Sequence, residues 1–563
     1  MTDNAAAYPN NKKLFISAPR ALANCAILAI AFYIFLKNAW ITEDAYINFR
    51  SVEQLFAGNG PVWNPHERVQ AYTSPLWYGL LCITRLFSTD LYNNTIALSL
   101  LLFTAIIFLI SRHFKNLNER LFLLITAAYS SAFYDFTTSG LENILIYFLT
   151  TLTFITLKNL KSKDQSKGFL YPLSLIGLLL LTRHDTATLF APLLAYTLWK
   201  SIVASGFRPT LKSISIAFSP FLTFTAFSII YYGFPFPNTA YAKLNTGIPA
   251  SDLMNQGILY IENLITNDPT TAIIITTASI AGIASRSPFY IAISAGLILN
   301  IWYIIRVGGD FMQGRFFSAN YVLASLTLTS LMYNSAFSKW LEITVKNIIS
   351  TLKIVAKNEN SSTIRALSAI LKTPTAIWIL IFLQIQNTGH DTPIVTPAEF
   401  NNTTITNGIA NERGFYFESL SLHQKITHDI NSPQSLFPDY PWSRQGLAMK
   451  NDNEKAFISH GNIGIQGYIA GTQKIIIDPL ALTDPLLARM PALHGSRVGH
   501  YKRVIPDEYI EIINGKKESF AEIDTNKKYE KIRVITQDHH LFSKDRLLNI
   551  LHCNTPGKSN PCN

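Results

Sequence analysis

The chain has 563 residues, of which 48% are hydrophobic and only 15% charged, against roughly 25% charged in soluble domains. So little charge over this length excludes an ordinary soluble protein. The formal net charge of +11 does not indicate nucleic acid, because the basic residues fall between apolar runs, the pattern of membrane topology signals.

A spanning helix needs about 20 mainly apolar residues. The first candidate follows a basic flank and occupies residues 22–40; it lacks a small-residue cleavage site and reads as a retained helix. Residues 74–87 are apolar but short, and read as a helix lying near the surface. Further spans centre near Leu102, Thr126, Leu149, Leu178, Leu194, Phe224, Thr277, Ser294, Leu326 and Leu380, giving about 11 in all. With the N-terminus inside, the loops carrying Arg112, Lys115 and Arg120, then Lys158 to Lys167, then Lys200, Arg208 and Lys212, then Arg286, and finally residues 339–372 are all cytoplasmic. Counting residues 74–87 as a span would put every later basic loop outside, against the positive-inside bias.

That topology predicts a polytopic α-helical membrane domain over residues 1–388 and an extracytoplasmic domain over residues 389–563. The second part has ordinary composition, enough length for its own core, and mixed α/β patterning. Cys25 and Cys82 sit in or beside apolar runs as packing residues, whereas Cys553 and Cys562 are placed for a local disulfide in an external tail.

The unusual polar clusters all fall on the predicted external side. In order they contain Glu43 and Asp44 with Arg50, then His66 and Tyr72, Glu142, Arg183 with Asp185, Lys243, and Asp310 with Arg315. Ionisable groups at the ends of spans are costly unless hydrated, paired or functional. Arg183 with Asp185 alone is as readily a structural pair, but several loops bringing acids and cations to one face suit a site that binds a phosphate and removes a proton. Lys243 and Arg315 are candidates for the phosphate. A carboxylate suits the proton: Asp44 first, with Glu43 as the rival, since adjacent residues point in different directions. Tyr46, Trp63, Tyr72 and Trp77 are candidates for stacking on sugar faces.

The stretch Glu43-Asp44-Ala45-Tyr46-Ile47-Asn48-Phe49-Arg50 resembles the "DDAYISFR" signature of AftB-type arabinofuranosyltransferases. Asn64-Pro65 through Tyr72-Thr73-Ser74-Pro75-Leu76-Trp77 is similar to their "NPGERVEGYTSPLW" continuation. Gly140-Leu141-Glu142, Thr182-Arg183-His184-Asp185, Pro237-Asn238-Thr239 with Tyr241-Ala242-Lys243, and Gly308-Gly309-Asp310-Phe311-Met312 with Gly314-Arg315-Phe316 follow in the same order. So do Asp478 to Arg489 and Val498-Gly499-His500, so the resemblance covers most of the chain. It implies a GT-C-type fold in a bacterial cytoplasmic membrane and an inverting transfer of arabinofuranose from a polyprenyl-phosphate donor. The acceptor it implies is a surface glycan or glycoprotein. Asp44 is then the first candidate for the base, with Glu43 as the alternative, and Glu43 and Glu142 otherwise organise the site. Lys243, Arg315, Asp310, Arg183, Asp185, His66 and Tyr72 bind the donor. No cofactor is demanded, and a divalent cation is allowed. Two positions depart from the family pattern: its first aspartate is Glu43 here, and its "TRPD" proline is His184.

Other readings are weaker. Gly461 to Gly467 lacks dinucleotide-loop spacing and reads as a turn-rich structural segment. The histidines show no metal-ligand spacing. A transporter would show repeated halves and midplane binding groups, and neither is evident.

Overall fold

The structure, a computed structural model, describes residues 12–160, 166–244, 246–334, 343, 405–555 and 562. The predicted span near Leu380 and the boundary after residue 388 lie outside these. The other predicted span centres all fall in helices, from Lys12–Lys37 and Leu91–His113 through Pro288–Val307 and Ser318–Leu331. Among the described residues four helices are long and apolar enough to cross a membrane: Leu91–His113, Thr186–Ser205, Phe207–Tyr232 and Pro288–Val307. Their outer faces carry exposed Leu101, Phe108, Leu222 and Ile298, a surface that only lipid or another apolar partner accommodates.

Local chemistry starts and breaks the helices. Ser74 accepts from the Trp77 amide and Pro75 occupies the first turn, so the short helix Pro75–Arg85 begins there. The segment centred on Thr126 breaks at Ser130, whose hydroxyl accepts from Phe133 N at 3.2 Å and starts Ser131–Thr137. Small residues then bring neighbouring helices together. A Cβ on Gly177 would lie 2.7 Å from the Ala217 carbonyl oxygen, and one on Gly296 would lie 2.1 Å from that of Leu189.

Asn143–Asn159 has Glu142 at one end and Lys158 at the other, about 25 Å apart at 1.5 Å per residue. Glu142, Arg183, Asp185, Asp310 and Arg315 gather at one end of the bundle around one cavity, with Lys158 beside Phe114 at the other.

Beyond residue 405 helices outnumber strands. A parallel pair, Ala456–Ile458 with Ile475–Ile477, is joined through helix Ile463–Ala470, a crossover that parallel strands require. This region is bound tightly to the bundle. Ile41 N donates to Leu420 O at 3.1 Å and Leu422 N to Ala39 O at 2.8 Å. Buried Arg413 pairs with Asp135 at 3.2 Å and also donates to Asn38. Cys553 and Cys562 are joined in a disulfide with a Cα separation of 5.2 Å.

Candidate active site

Chain connectivity fixes the floor of the site. The first helix ends at Lys37, and residues 38–43 carry the chain to Asp44, at the start of helix Ala45–Phe56. Thr42 N donates to Ser139 O at 2.8 Å, binding this loop to the next one. Gly140 has φ +82° and runs so close to the helix start that a Cβ on it would lie 2.7 Å from Ala45 Cβ, a place only glycine fills easily. Trp77 Nε1 fixes the same turn by donating to Gly140 O at 2.9 Å.

Above this floor lies a cavity of about 400 Å³. Asp44, Glu142, Arg183, Asp185, Lys243, Asp310 and Arg315 all line it. Five separate stretches of chain supply these seven side chains.

Their contacts form a graded network. Arg183 Nη1 donates to Glu142 at 2.7 Å and its Nε to Asp185 at 2.9 Å, a buried structural bracket. Arg315 sits among three acids, 3.5 Å from Glu142, 3.7 Å from Asp310 and 4.0 Å from Asp44. These are loose contacts. Among the described residues, buried Asp310 Oδ2 and Arg315 Nε have no hydrogen-bond partner, a costly state that calls for an explanation. Lys243 makes no ion pair among the described residues and lies 5.5 Å from the Phe311 ring centre.

Burial raises the Asp44 pKa above the usual carboxylate value, with Arg315 and Lys243 opposing the shift. Glu142 goes the other way: burial alone would raise it, but Arg183 and Arg315 outweigh that and hold it ionised. Burial lowers the Lys243 ammonium, and Asp310 opposes it. The site thus holds one tightly bound acid and one more basic acid that is 26% exposed. Arg315 occupies the point on which the acids converge, so they fit a guanidinium there better than a divalent cation. Among the described residues no group of three or more His, Cys, Asp or Glu is placed to hold a metal.

The structure does not bring Glu43, His66 or Tyr72 to this cavity. Glu43 is 2% exposed and accepts from Ile465 N at 2.9 Å, at the start of helix Ile463–Ala470. Tyr72 is packed inside, stacked on Tyr78 at 4.0 Å and hydrogen bonded to Tyr232 at 2.8 Å. His66 lies on a separate hollow. Arg50 is buried too. It stacks on Trp63 and donates to the carbonyls of Gly471 at 2.8 Å and Lys474 at 2.6 Å. Tyr46, Trp63 and Trp77 are core residues with no free face for a sugar. The segment Gly461 to Gly467 is largely helix rather than turn, and its glycines permit contact: a Cβ on Gly464 would lie 2.3 Å from Glu43 O.

Two contributors, Tyr303 and Glu412, carried no signal in the sequence, and a third, Leu482, lies in the C-terminal stretch of the resemblance but was not a candidate site residue. Tyr303 lines the cavity from inside an apolar run. Leu482 reaches it from the C-terminal region. Glu412 lies behind it, accepting from Thr42 Oγ1 at 3.4 Å, and burial with Asp44 nearby raises its pKa to about 8.

Set beside known proteins, the chain is a membrane glycosyltransferase. In particular it resembles the terminal beta-(1->2)-arabinofuranosyltransferases. It is 25% identical to that of Mycobacterium tuberculosis over 84% of this chain and 82% of the relative. It is 26% identical to that of Corynebacterium glutamicum over 86% and 78%. No protein-family model matches. The crystal structure of ArnT from Cupriavidus metallidurans bound to undecaprenyl phosphate covers 82% of this chain and 86% of that one, with a TM-score of 0.46 and 12% identity. A likeness at that level bears on neither substrate nor site.

Proposed function

We propose that the protein transfers D-arabinofuranose from a polyprenyl-phosphate donor to a surface glycan or glycoprotein at the external face of a bacterial cytoplasmic membrane. The observation that carries this reading is the cavity's two-part character. Its floor is charged, while Phe236 and Leu244 on its rim are 49% and 69% exposed. A ligand with a phosphosugar head and an apolar tail matches both parts.

In the reaction an acceptor hydroxyl oxygen bonds to the anomeric carbon as the bond from that carbon to the phosphate oxygen breaks. The electron pair leaves with polyprenyl phosphate, and the hydroxyl proton passes to a carboxylate. Asp44 is the base: it is the partly exposed acid with no close ion pair among the described residues, its nearest cation being Arg315 at 4.0 Å, and its raised pKa strengthens it as a proton acceptor while still leaving it ionisable. Lys243 and Arg315 meet the phosphate, stabilising charge as it develops on the leaving oxygen. Asp310 orients Arg315, and the Arg183 bracket fixes Glu142 and Asp185. The displacement inverts the anomeric centre.

The same reading takes about 11 membrane spans, with residues 1–388 as the membrane domain and residues 389–563 as a mixed α/β domain outside. The positive-inside distribution of basic loops supports it.

The test is transfer in membranes supplied with a short-chain polyprenyl-phospho-arabinofuranose, comparing wild type with Asp44→Asn. Transfer that collapses in the variant supports both donor and base. Failure of the folded wild type to use this donor, while using a lipid-linked hexose, overturns the arabinofuranose assignment.

A further inference from the structure

The C-terminal region carries an apolar surface that its own packing does not use. Helix Lys544–Asn554 turns Arg546, Ile550 and Cys553 inward, where Ile550 packs with Phe234 and Ile535. On its other side Leu547, Leu548 and Leu551 are exposed, Leu551 to 63%, and Phe542, just before the helix, is 71% exposed. Spacings of three and four residues make the leucines neighbours on one face. An apolar patch of this kind marks a contact with lipid or with protein.

The position of the helix favours lipid. It is bound to one end of the span Phe207–Tyr232. Arg546 Nη2 donates to Tyr231 O at 3.0 Å, and Asn554 Nδ2 to Gly233 O at 2.8 Å. Arg68 Nε donates to the same Tyr231 carbonyl at 3.1 Å. Gly233, at φ +85°, lets the two parts meet: a Cβ there would lie 2.1 Å from Ile535 Cγ2.

Along that span Leu211, Ile216, Leu222, Phe227 and Ile230 are exposed. From Leu211 to Ile230 the helix rises about 28 Å at 1.5 Å per residue, which matches a hydrocarbon core of about 30 Å. Tyr231 and Gly233 therefore stand at the hydrocarbon boundary, the level at which tyrosines are enriched. Helix Lys544–Asn554 stands there with them. Lys544 is exposed on its leucine face, three and four positions before Leu547 and Leu548, and its long stem lets the ammonium reach lipid phosphates.

We infer that helix Lys544–Asn554 lies in the outer interface of the membrane, with Phe542, Leu547, Leu548 and Leu551 against lipid; this rests on the external placement of residues 389–563 proposed above. The contact seats the C-terminal region on the leaflet that holds a lipid-linked donor beside the cavity.

The experiment uses the full-length protein in nanodiscs of phosphatidylethanolamine and phosphatidylglycerol, with Cys25→Ala and Cys82→Ala as background. Leu547→Cys and Leu551→Cys each carry an environment-sensitive fluorophore, and each tests the inference alone should the other not fold. Lys516→Cys and Lys527→Cys, at exposed positions elsewhere in the region, are the controls. A nitroxide high on the lipid acyl chain should quench the leucine sites about threefold or more above the controls, as a face set 5–10 Å into the interface requires. Aqueous iodide should show the opposite order. Leucine sites that iodide reaches as readily as the controls overturn the inference. So do leucine sites shielded from both quenchers, which would place a second copy or another protein on this face. A membrane-impermeant maleimide should label Lys527→Cys in intact spheroplasts. Labelling only after lysis overturns the outer-leaflet assignment together with the external placement, whereas a water-exposed leucine face in a region labelled from outside overturns the inference alone.

Discussion

Glu43 and Asp44 are neighbours in the chain and serve opposite sides of it: Glu43 accepts the Ile465 amide at 2.9 Å, whereas Asp44 faces the cavity 4.0 Å from Arg315. The sequence left the choice of base between these two. The geometry favours Asp44, because Glu43 has no access to a substrate.

Asp44→Asn is expected to lower kcat by about 10²–10⁴-fold, the usual contribution of general base catalysis, with little change in melting temperature. Glu43→Ala is expected to do the reverse. It leaves the buried Ile465 amide without its acceptor, at a cost of about 1–3 kcal/mol, while transfer per folded molecule stays within a few-fold of wild type. A thermal shift series beside the transfer assay separates the two.

The pH profile follows from the raised Asp44 pKa. The base works only when deprotonated, so kcat/KM should fall as pH drops through that pKa, at a pH above the ordinary range for aspartate. Lys243→Met removes one of the two cations that lower the Asp44 pKa, and should move this acid limb to higher pH.

Lys243→Met should also reduce kcat/KM by about 10²–10³-fold, in line with the removal of one preorganised donor to a developing oxyanion. Because Lys243 makes no ion pair among the described residues, the loss should appear in kinetics with the melting temperature nearly unchanged.

Arg183→Ala should chiefly destabilise the fold. Glu142 is 1% exposed and loses its closest cation; breaking a buried pair from one side costs about 3–5 kcal/mol. Low yield of folded protein, partly restored by the double variant Arg183→Ala with Glu142→Gln, would show this. Equal yields of the wild type and both variants would count against it.

Glu412 makes stability depend on pH. Its folded pKa of about 8 exceeds the ordinary glutamate value of 4.5, so the folded state binds more protons than the unfolded state between those values. Stability should therefore be fullest below pH 4.5 and decline as pH rises to 8. Glu412→Gln should flatten this slope, which melting curves from pH 5 to pH 9 would reveal.

The membrane helices were readable because apolar length and the basic loops between them are local properties of the chain. The charged cavity was also readable, because its residues stand in short polar breaks between apolar runs. Which face each residue turns to was not. Tyr72 and Trp77 look like sugar platforms in a polar motif, yet Tyr72 is bonded to Tyr232 and Trp77 to the Gly140 carbonyl. Those partners lie 63 or more positions away, beyond the reach of local pattern. Arg50 was misleading for the same reason, since its carbonyl partners all come from the distant C-terminal region apart from Trp63. Glu412 had no motif around it, and only the fold places it behind Thr42.

The pairing of Ile41 with Leu420 and of Leu422 with Ala39 makes the catalytic floor a composite of two parts of the chain lying some 380 positions apart. A shortened protein ending before residue 405 would lack more than its outer region. The strip of backbone that presents Asp44 would lose the helix ends at Leu420 and Leu422 that it pairs with, so a fragment made of membrane helices alone should insert and yet remain without a working site.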